Sequence, residues 1–169
     1  MIADEGKIDG DVNRVASIAK DYPNLVKVPV PLFFVDIVAF TKSTEIAIKG
    51  WDSLRPYKIA TLRGLKIAEQ GLENFEYVSV PDFDPIIRML ERGRVDIAVL
   101  PREDGIKGIK ELGITSIRVI EPPLIRVELY HFLHNKHKSI VPEITASLDK
   151  MREEGLIEKL IREELSPRQ

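Results

Sequence analysis

The stretch Met1–Gly10, MIADEGKIDG, and the stretch Met89–Ala98, MLERGRVDIA, run through the same steps. Each leads from a Met-headed polar turn to a glycine (Gly6, Gly93), then a basic residue, a β-branched aliphatic and an aspartate (Asp9, Asp96). A glycine there suits the position just past a helix, where a left-handed backbone closes the last turn. One helix–glycine–strand step therefore occurs twice in the chain. Only five residues precede Gly6, which leaves open whether Met1 starts the fold or stands partway through it.

Outward from the second copy, short strands and helices alternate. Tyr57–Leu62 reads as a strand, about Leu65–Leu72 as a helix and Tyr77–Val80 as a strand. Asp84 and Pro85 form an N-cap and N1 pair for a helix that turns Ile86, Ile87, Met89 and Leu90 inward and stops at Gly93. Val95–Leu100 is a continuous apolar run, as a strand buried on both faces requires. Ile106, Ile109 and Leu112 make a further helical stripe closed by Gly113. Ser116–Ile120 is a strand, Pro122 and Pro123 break it, and Ile125–Leu133 is a long strand. Upstream, Val12, Val15, Ile18 and Ala19 recur at helical spacing. Leu25–Val28 and Leu32–Phe40 read as extended pieces joined through Pro29 and Pro31 at a sheet edge. The polar segment Ser43–Pro56 reads as a linker, and two helices, about Val141–Glu154 and Leu156–Leu165, close the chain around Gly155.

The middle is thus β-α-β-α-β-α-β, an α/β pattern with helices on both faces of a parallel or mixed sheet. The segments on either side each contribute one long strand. That layout predicts two lobes: residues 44–125 as one, and 1–43 plus 126–169 as the other, crossed through Leu32–Lys42 and Ile125–His134. A cleft between α/β lobes is where strand ends and helix N-termini converge on small ligands.

Bulk properties narrow the function. The 169 residues suit one domain or two small lobes, and a chain of this size buries roughly 70% of its unfolded surface. With 44% hydrophobic and 31% charged residues the chain is folded rather than disordered. The 25 basic and 27 acidic residues form no like-charge block, which leaves no electrostatic footprint for nucleic acid. The absence of cysteine excludes disulfides, thiol chemistry and Cys-ligated zinc. Val28–Phe40, the longest apolar stretch, is broken by Pro29, Pro31 and Asp36 and is too short to span a bilayer. MIADEGK has neither the basic start nor the apolar core of a signal peptide.

Several motifs, in order, carry a family resemblance: IDGDVNRV, YPNLVKVPVPL, VAFTK, W-x-S-L-x-P-Y, IATLRG, GRVDIAVLPREDGIKGIKELG, HFLHNKH followed by Pro142, and SLDKMREEGLIEKLI. Across nearly its whole length the chain resembles the extracellular solute-binding proteins of amino-acid-type ABC transporters. That resemblance implies a type II periplasmic-binding fold, two lobes joined by hinge strands, with the opening of the first lobe missing. It implies an amino acid or similar carboxylate as ligand, an ABC permease as partner and a periplasmic location. Loss of the first strands would expose a sheet edge and an apolar helix face, which predicts a homo-oligomer.

In the resembling family, the turn after the first strand of the second lobe contacts the ligand carboxylate, often as G-T-T or G-S-T. Here the turn is Arg63, Gly64, Leu65, so hydroxyl donors are missing and Arg63 supplies charge instead; a surface turn arginine is the alternative. Asn13 and Arg14 stand where the family places small hydroxyl residues, and a guanidinium there suits a carboxylate bidentately. An exposed helix residue is the competing reading for Arg14. After Asp96–Leu100, where many amino-acid binders carry an aspartate for the ammonium, this chain has Pro101 and Arg102. That departure favours a dicarboxylate or another anion. His131, His134 and His137 lie on or beside a strand and do not converge as metal ligands must. No nucleophile elbow, P-loop or zinc-protease motif is present, so neither enzyme, cofactor nor metal is expected. A sensory or scaffold domain without solute capture, and a small enzyme on a similar fold, are the other readings.

Overall fold

The computed structural model describes residues 1–165. Its strands, in chain order, are β1 (Gly10–Val15), β2 (Leu25–Thr41), β3 (Ile59–Leu62), β4 (Tyr77–Val80), β5 (Ile97–Pro101) and β6 (Arg118–His134). Its helices are α1 (Lys66–Gly71), α2 (Phe83–Glu91), α3 (Arg102–Glu111), α4 (Val141–Glu153) and α5 (Leu156–Leu165). The chain divides into two compact units, residues 1–34 with 128 onward (unit 1) and Val35–Val127 (unit 2). It passes from one to the other inside β2 and again inside β6.

Unit 2 is built on the strand order β2-β5-β3-β4. β3 runs parallel to both β4 and β5, and β2 runs antiparallel to β5, pairing Ile37 with Pro101 and Phe40 with Ala98. Side-chain alternation sends one set of residues to each face. Ile37, Ala39, Ile59, Ile97 and Val99 pack on one side with Ala68 of α1 and with Leu54 and Leu72. Val38, Phe40, Ala60, Ala98 and Leu100 pack on the other with Ile86, Ile87 and Leu90 of α2. That double burial is why Val95–Leu100 reads as an unbroken apolar run.

The quoted repeat is one structural step made twice. Gly6 (φ 72°) donates to Ala3 O and Lys7 to Ile2 O, both at 3.1 Å. Gly93 (φ 67°) donates to Leu90 O at 3.1 Å and Arg94 to Met89 O at 2.9 Å. This pair of bonds, six-to-one and five-to-two, is the closing motif that a left-handed glycine makes possible. β1 and β5 each start at the residue after the repeated aspartate. Asp96 ties its strand to β3 by accepting from Lys58 N at 2.8 Å, while Asp9 accepts from His137 Nε2 at 2.8 Å and Lys136 Nζ at 3.0 Å.

Several local expectations are corrected. Prolines do not interrupt β2 or β6: each strand has 17 residues and runs through Pro29 and Pro31, or through Pro122 and Pro123. Proline removes a donor but fits extended backbone, so a strand tolerates it where that N–H is not needed for pairing. The 43–56 segment is not a loose linker, because Ile48 and Leu54 are buried and Trp51 packs on the same core. The ring of Trp51 lies where a side chain on Gly71 would go, 2.4 Å from its Cβ position. Asp82, not Asp84, is the N-cap of α2. Val12–Ala19 is not a helix but the end of β1 followed by a 3-10 turn, Ala16–Lys20. On α3, Gly105 and Gly108 are the buried residues; Ile109, and Leu112 just past the helix, pack partly buried against the same core, while Ile106 is exposed.

Unit 1 pairs β1 antiparallel to β6, from Gly10↔Leu133 to Val15↔Leu129. Its cluster comprises Ala3, Leu25, Tyr130 and Phe132, with Met1, Ile18 and Tyr22 against it. Among the described residues, seven buried hydrophobic side chains belong to unit 1 and twenty to unit 2, so the deep core is in unit 2. No residue of α4 is buried. Among the described residues, no helix is long and apolar enough to cross a membrane.

Candidate functional site

Parallel strands β3 and β5 end side by side, and the residues that follow them, Arg63 to Leu65 and Arg102, stand at one edge of unit 2. The carboxyl edge of such strands is where α/β units bind small molecules. The structure therefore groups four of the six residues singled out from sequence.

The first turn is held by backbone bonds. Arg63 N donates to Val80 O at 2.8 Å, and Leu65 N donates to Leu62 O at 3.2 Å. Gly64 takes φ 82°, a conformation that excludes most side chains. Its N–H donates to Glu69 Oε1 at 2.8 Å, and Lys66 Nζ bonds the other oxygen at 2.9 Å. The Lys66 bond, helped by the Gly64 N–H, holds the Glu69 carboxyl below its ordinary range, and Glu69 in turn pushes Lys66 up. A carboxylate of the chain itself thus sits on the Gly64 donor. The exposed Arg63 guanidinium touches only Ser79 O, at 3.4 Å, and among the described residues no carboxylate lies in ion-pair reach of it.

The second turn carries a chain of alternating charges. Arg102 grips Glu121 through both terminal nitrogens, with Nη2–Oε2 at 2.9 Å, and points Nε at Asp36 Oδ2, 3.4 Å away. Arg126 meets the same aspartate bidentately, Nε–Oδ1 at 2.7 Å and Nη2–Oδ2 at 3.0 Å. The Arg126 hydrogen bonds, with the charges of both arginines, keep the Asp36 carboxyl low although burial opposes this. Glu121 is held low by Arg102 and raises Arg102 in return. Sequence reasoning missed Asp36 as a functional residue. Its signal was there: a lone carboxylate in the apolar run Val28–Phe40, which demands a partner when buried.

Asn13 and Arg14 belong to unit 1. β1 shifts register between Asp11 and Arg14, so Val12 and Asn13 together stand opposite the single His131. Asn13 takes φ 58°, and the exposed Arg14 donates through Nε to Asp11 Oδ2 at 2.8 Å. His131 is half-buried and burial lowers its pKa, while the His134 ring covers Gly6 and His137 reaches Asp9. Among the described residues, no three His, Asp or Glu side chains converge as a metal site would require.

Open concavities on unit 2 lie elsewhere. One, of about 570 Å³, is lined by Asp82, Asp84, Asp104 and Glu111 with the single cation Lys107, a net acidic wall. Another, of about 280 Å³, has Arg55 and Lys58 beside Tyr57, Phe75 and Glu76. A third, of about 380 Å³, is mostly apolar, with Phe40, Ile109, Ile117 and Val119 on its walls.

No family model matches the sequence. An uncharacterized protein of Shewanella oneidensis is 28% identical over 164 residues, covering 92% of this chain; the chain spans 62% of that relative's length. Among solved structures, the GluR0 ligand-binding core in complex with L-glutamate superposes with a TM-score of 0.78 at 12% identity, over 98% of this chain and 76% of that one. A histidine kinase sensor domain similar to periplasmic binding proteins gives 0.69 at 20% identity, over 96% and 72%. The amino-acid ABC transporter substrate-binding protein AbpA of Streptococcus pneumoniae, bound to L-arginine, gives 0.68 at 17% identity, over 97% and 70%. The class these likenesses define is structural: the chain has the type II periplasmic-binding fold, with a mixed sheet. These neighbours are binding proteins and sensor domains.

Proposed function

We propose that this chain is a solute-binding module that takes an amino acid or another small carboxylate at the edge where β3 and β5 end. The observation that carries this reading is the pair of guanidinium groups there: Arg63, without a carboxylate partner among the described residues, and Arg102, held in place by Asp36. Guanidinium matches carboxylate geometry through two parallel bonds. The turn at Gly64 and Leu65 fixes where Arg63 emerges. Within unit 1, Asn13 and Arg14 are proposed as carboxylate contacts in their own right. Binding rather than catalysis is the proposed role, a reading supported by neighbours that are binding proteins and sensor domains.

We place the protein outside the cytoplasm, as the receptor of an ABC permease, on the strength of the substrate-binding-protein fold. A sensory role is the second reading, and the likeness to a kinase sensor domain favours it. Thermal unfolding with L-arginine, L-glutamate and succinate tests capture itself. At one hundred times Kd a solute adds about 2.7 kcal/mol of stability, a rise of several degrees. If none of the three shifts the transition, solute capture fails and the scaffold reading takes its place. If one does, uptake of that solute labelled with carbon-14, lost in a deletion strain, supports transport; unchanged uptake supports sensing.

We also infer self-association through unit 1. Its core is thin, and Ile2, Ile8, Val12 and Phe34 are exposed on it. Exposed apolar surface of this kind is association-prone. Light scattering at micromolar concentration should give at least twice the 19.2 kDa chain mass. A clean monomer overturns the inference.

A further inference from the structure

Arg102 has more partners than Arg63, the other edge guanidinium, yet its binding face is already occupied. Glu121 takes both terminal nitrogens, the same two bonds that a solute carboxylate would make. The two carboxylates on Arg102 are not equivalent. Asp36 is only 12% exposed and is anchored from behind by the two bonds from Arg126. Glu121 is 60% exposed and makes no other ion pair or hydrogen bond through its side chain among the described residues. Asp36 is therefore the fixed support, and Glu121 is the exchangeable group.

We propose that Glu121 is a built-in competitor for Arg102, a surrogate ligand that a solute carboxylate must displace. This rests on the reading of the β5 end as a solute site. Exchange of one carboxylate for another leaves the Arg102 guanidinium fully bonded, so the solute meets no cost of stripping water from a bare cation. It also sets selectivity. Only a solute able to replace both bonds of Glu121 gains the site, which excludes neutral and purely cationic molecules and raises the concentration at which carboxylates bind. The four side chains Asp36, Arg102, Glu121 and Arg126 are neutral together before exchange, so the uncompensated positive charge at this edge is that of Arg63.

The test is titration calorimetry of L-arginine, agmatine (arginine without its carboxylate), L-glutamate and succinate against the native chain and three variants. Glu121→Gln should tighten the carboxylate probes about three- to tenfold, as expected for removal of an exposed competing pair. Agmatine should gain nothing. Arg102→Gln should weaken the same carboxylates at least tenfold, and Glu111→Gln, an exposed acid at the far end of α3, should leave them unchanged. Should Arg102→Gln unfold, Arg102→Lys keeps the charge while losing the two parallel bonds and should weaken the carboxylates in the same direction. A carboxylate that binds the native chain with the same affinity as both Glu121→Gln and the Arg102 variants overturns the competitor role and leaves solute binding standing. Absence of binding in both the native chain and Glu121→Gln overturns the competitor role together with the solute-binding reading.

Discussion

Replacing Phe40 by alanine is expected to cost about 3–5 kcal/mol of unfolding free energy. Phe40 is 1% exposed and fills the α2/α3 side of the unit 2 sheet beside Leu100, Ile86 and Leu90. Its ring also explains why α3 carries Gly105. A Cβ there would stand 2.3 Å from Phe40 Cζ, well inside van der Waals contact, so the ring or the helix has to shift. Gly105→Ala should therefore destabilise by up to about 2 kcal/mol, an overpacking cost of about 1–3 kcal/mol less the roughly 1 kcal/mol that alanine gains in a helix. The two changes must couple. In the Phe40→Ala background the added methyl enters space the ring has vacated, so the double variant should be no less stable than Phe40→Ala alone. Urea unfolding reads this as a shift in midpoint at constant slope. Additivity of the two single effects within about 0.5 kcal/mol would refute the contact.

The same pair shows where sequence reading stopped. Ile106, Ile109 and Leu112 have helical spacing, and Ile109 and Leu112 do pack on the core while Ile106 does not. What decides the buried face of α3 is how close the helix lies to the sheet, and only glycine permits an approach that puts a phenyl ring against the backbone. Close approach has no period, so it was invisible. α2 was legible because its inward residues, Ile86, Ile87 and Leu90, are large and its end is marked by Gly93. The continuous run in β5 was legible for a related reason: burial on both faces leaves no polar position. The prolines misled because their usual role as breakers was given more weight than the one hydrogen bond each removes.

The edge site was half legible. A turn after a strand with a glycine in it marks Arg63 to Leu65, and Arg102 follows an unmistakable buried strand. What surrounds them was hidden, because Glu121 lies 19 residues from Arg102 and Asp36 lies 90 residues from Arg126, separations with no local pattern. A lone acid in an apolar run predicts that a partner exists but not which one. The outcome changes the meaning of Arg102: from a free cation waiting for an anion to one already paired with Glu121 and Asp36.

Asp36→Ala should be the other large effect, about 2–3 kcal/mol, because it leaves Arg102 and Arg126 facing each other across a half-buried gap without their shared carboxylate. Asp36→Asn should cost somewhat less, since the amide oxygen still accepts a bond. The acid limb of the stability curve separates this charge effect from packing. Asp36 has its folded pKa held below the ordinary 3.8 by the Arg126 bonds and by the charge of Arg102. Such a group contributes its full stabilisation above the unfolded value and loses it as pH falls through the lower folded value. His131 acts in a separate window: burial depresses its pKa from 6.5, so the unfolded chain binds a proton first and stability declines as pH drops below that point. Native protein should accordingly lose stability in two stages, a shallow one beginning below pH 6.5 and a steeper one below about pH 4, where Asp9, Glu69 and Glu121 add to it in the same direction. Asp36→Asn should keep the first stage unchanged and flatten the second. Denaturant midpoints at pH 7, 5 and about 3 suffice to see it. If native and Asp36→Asn curves fall in parallel below pH 4, the carboxylate of Asp36 is not what joins Arg102 to Arg126 in solution, and its charge has no part in stabilising this edge of the fold.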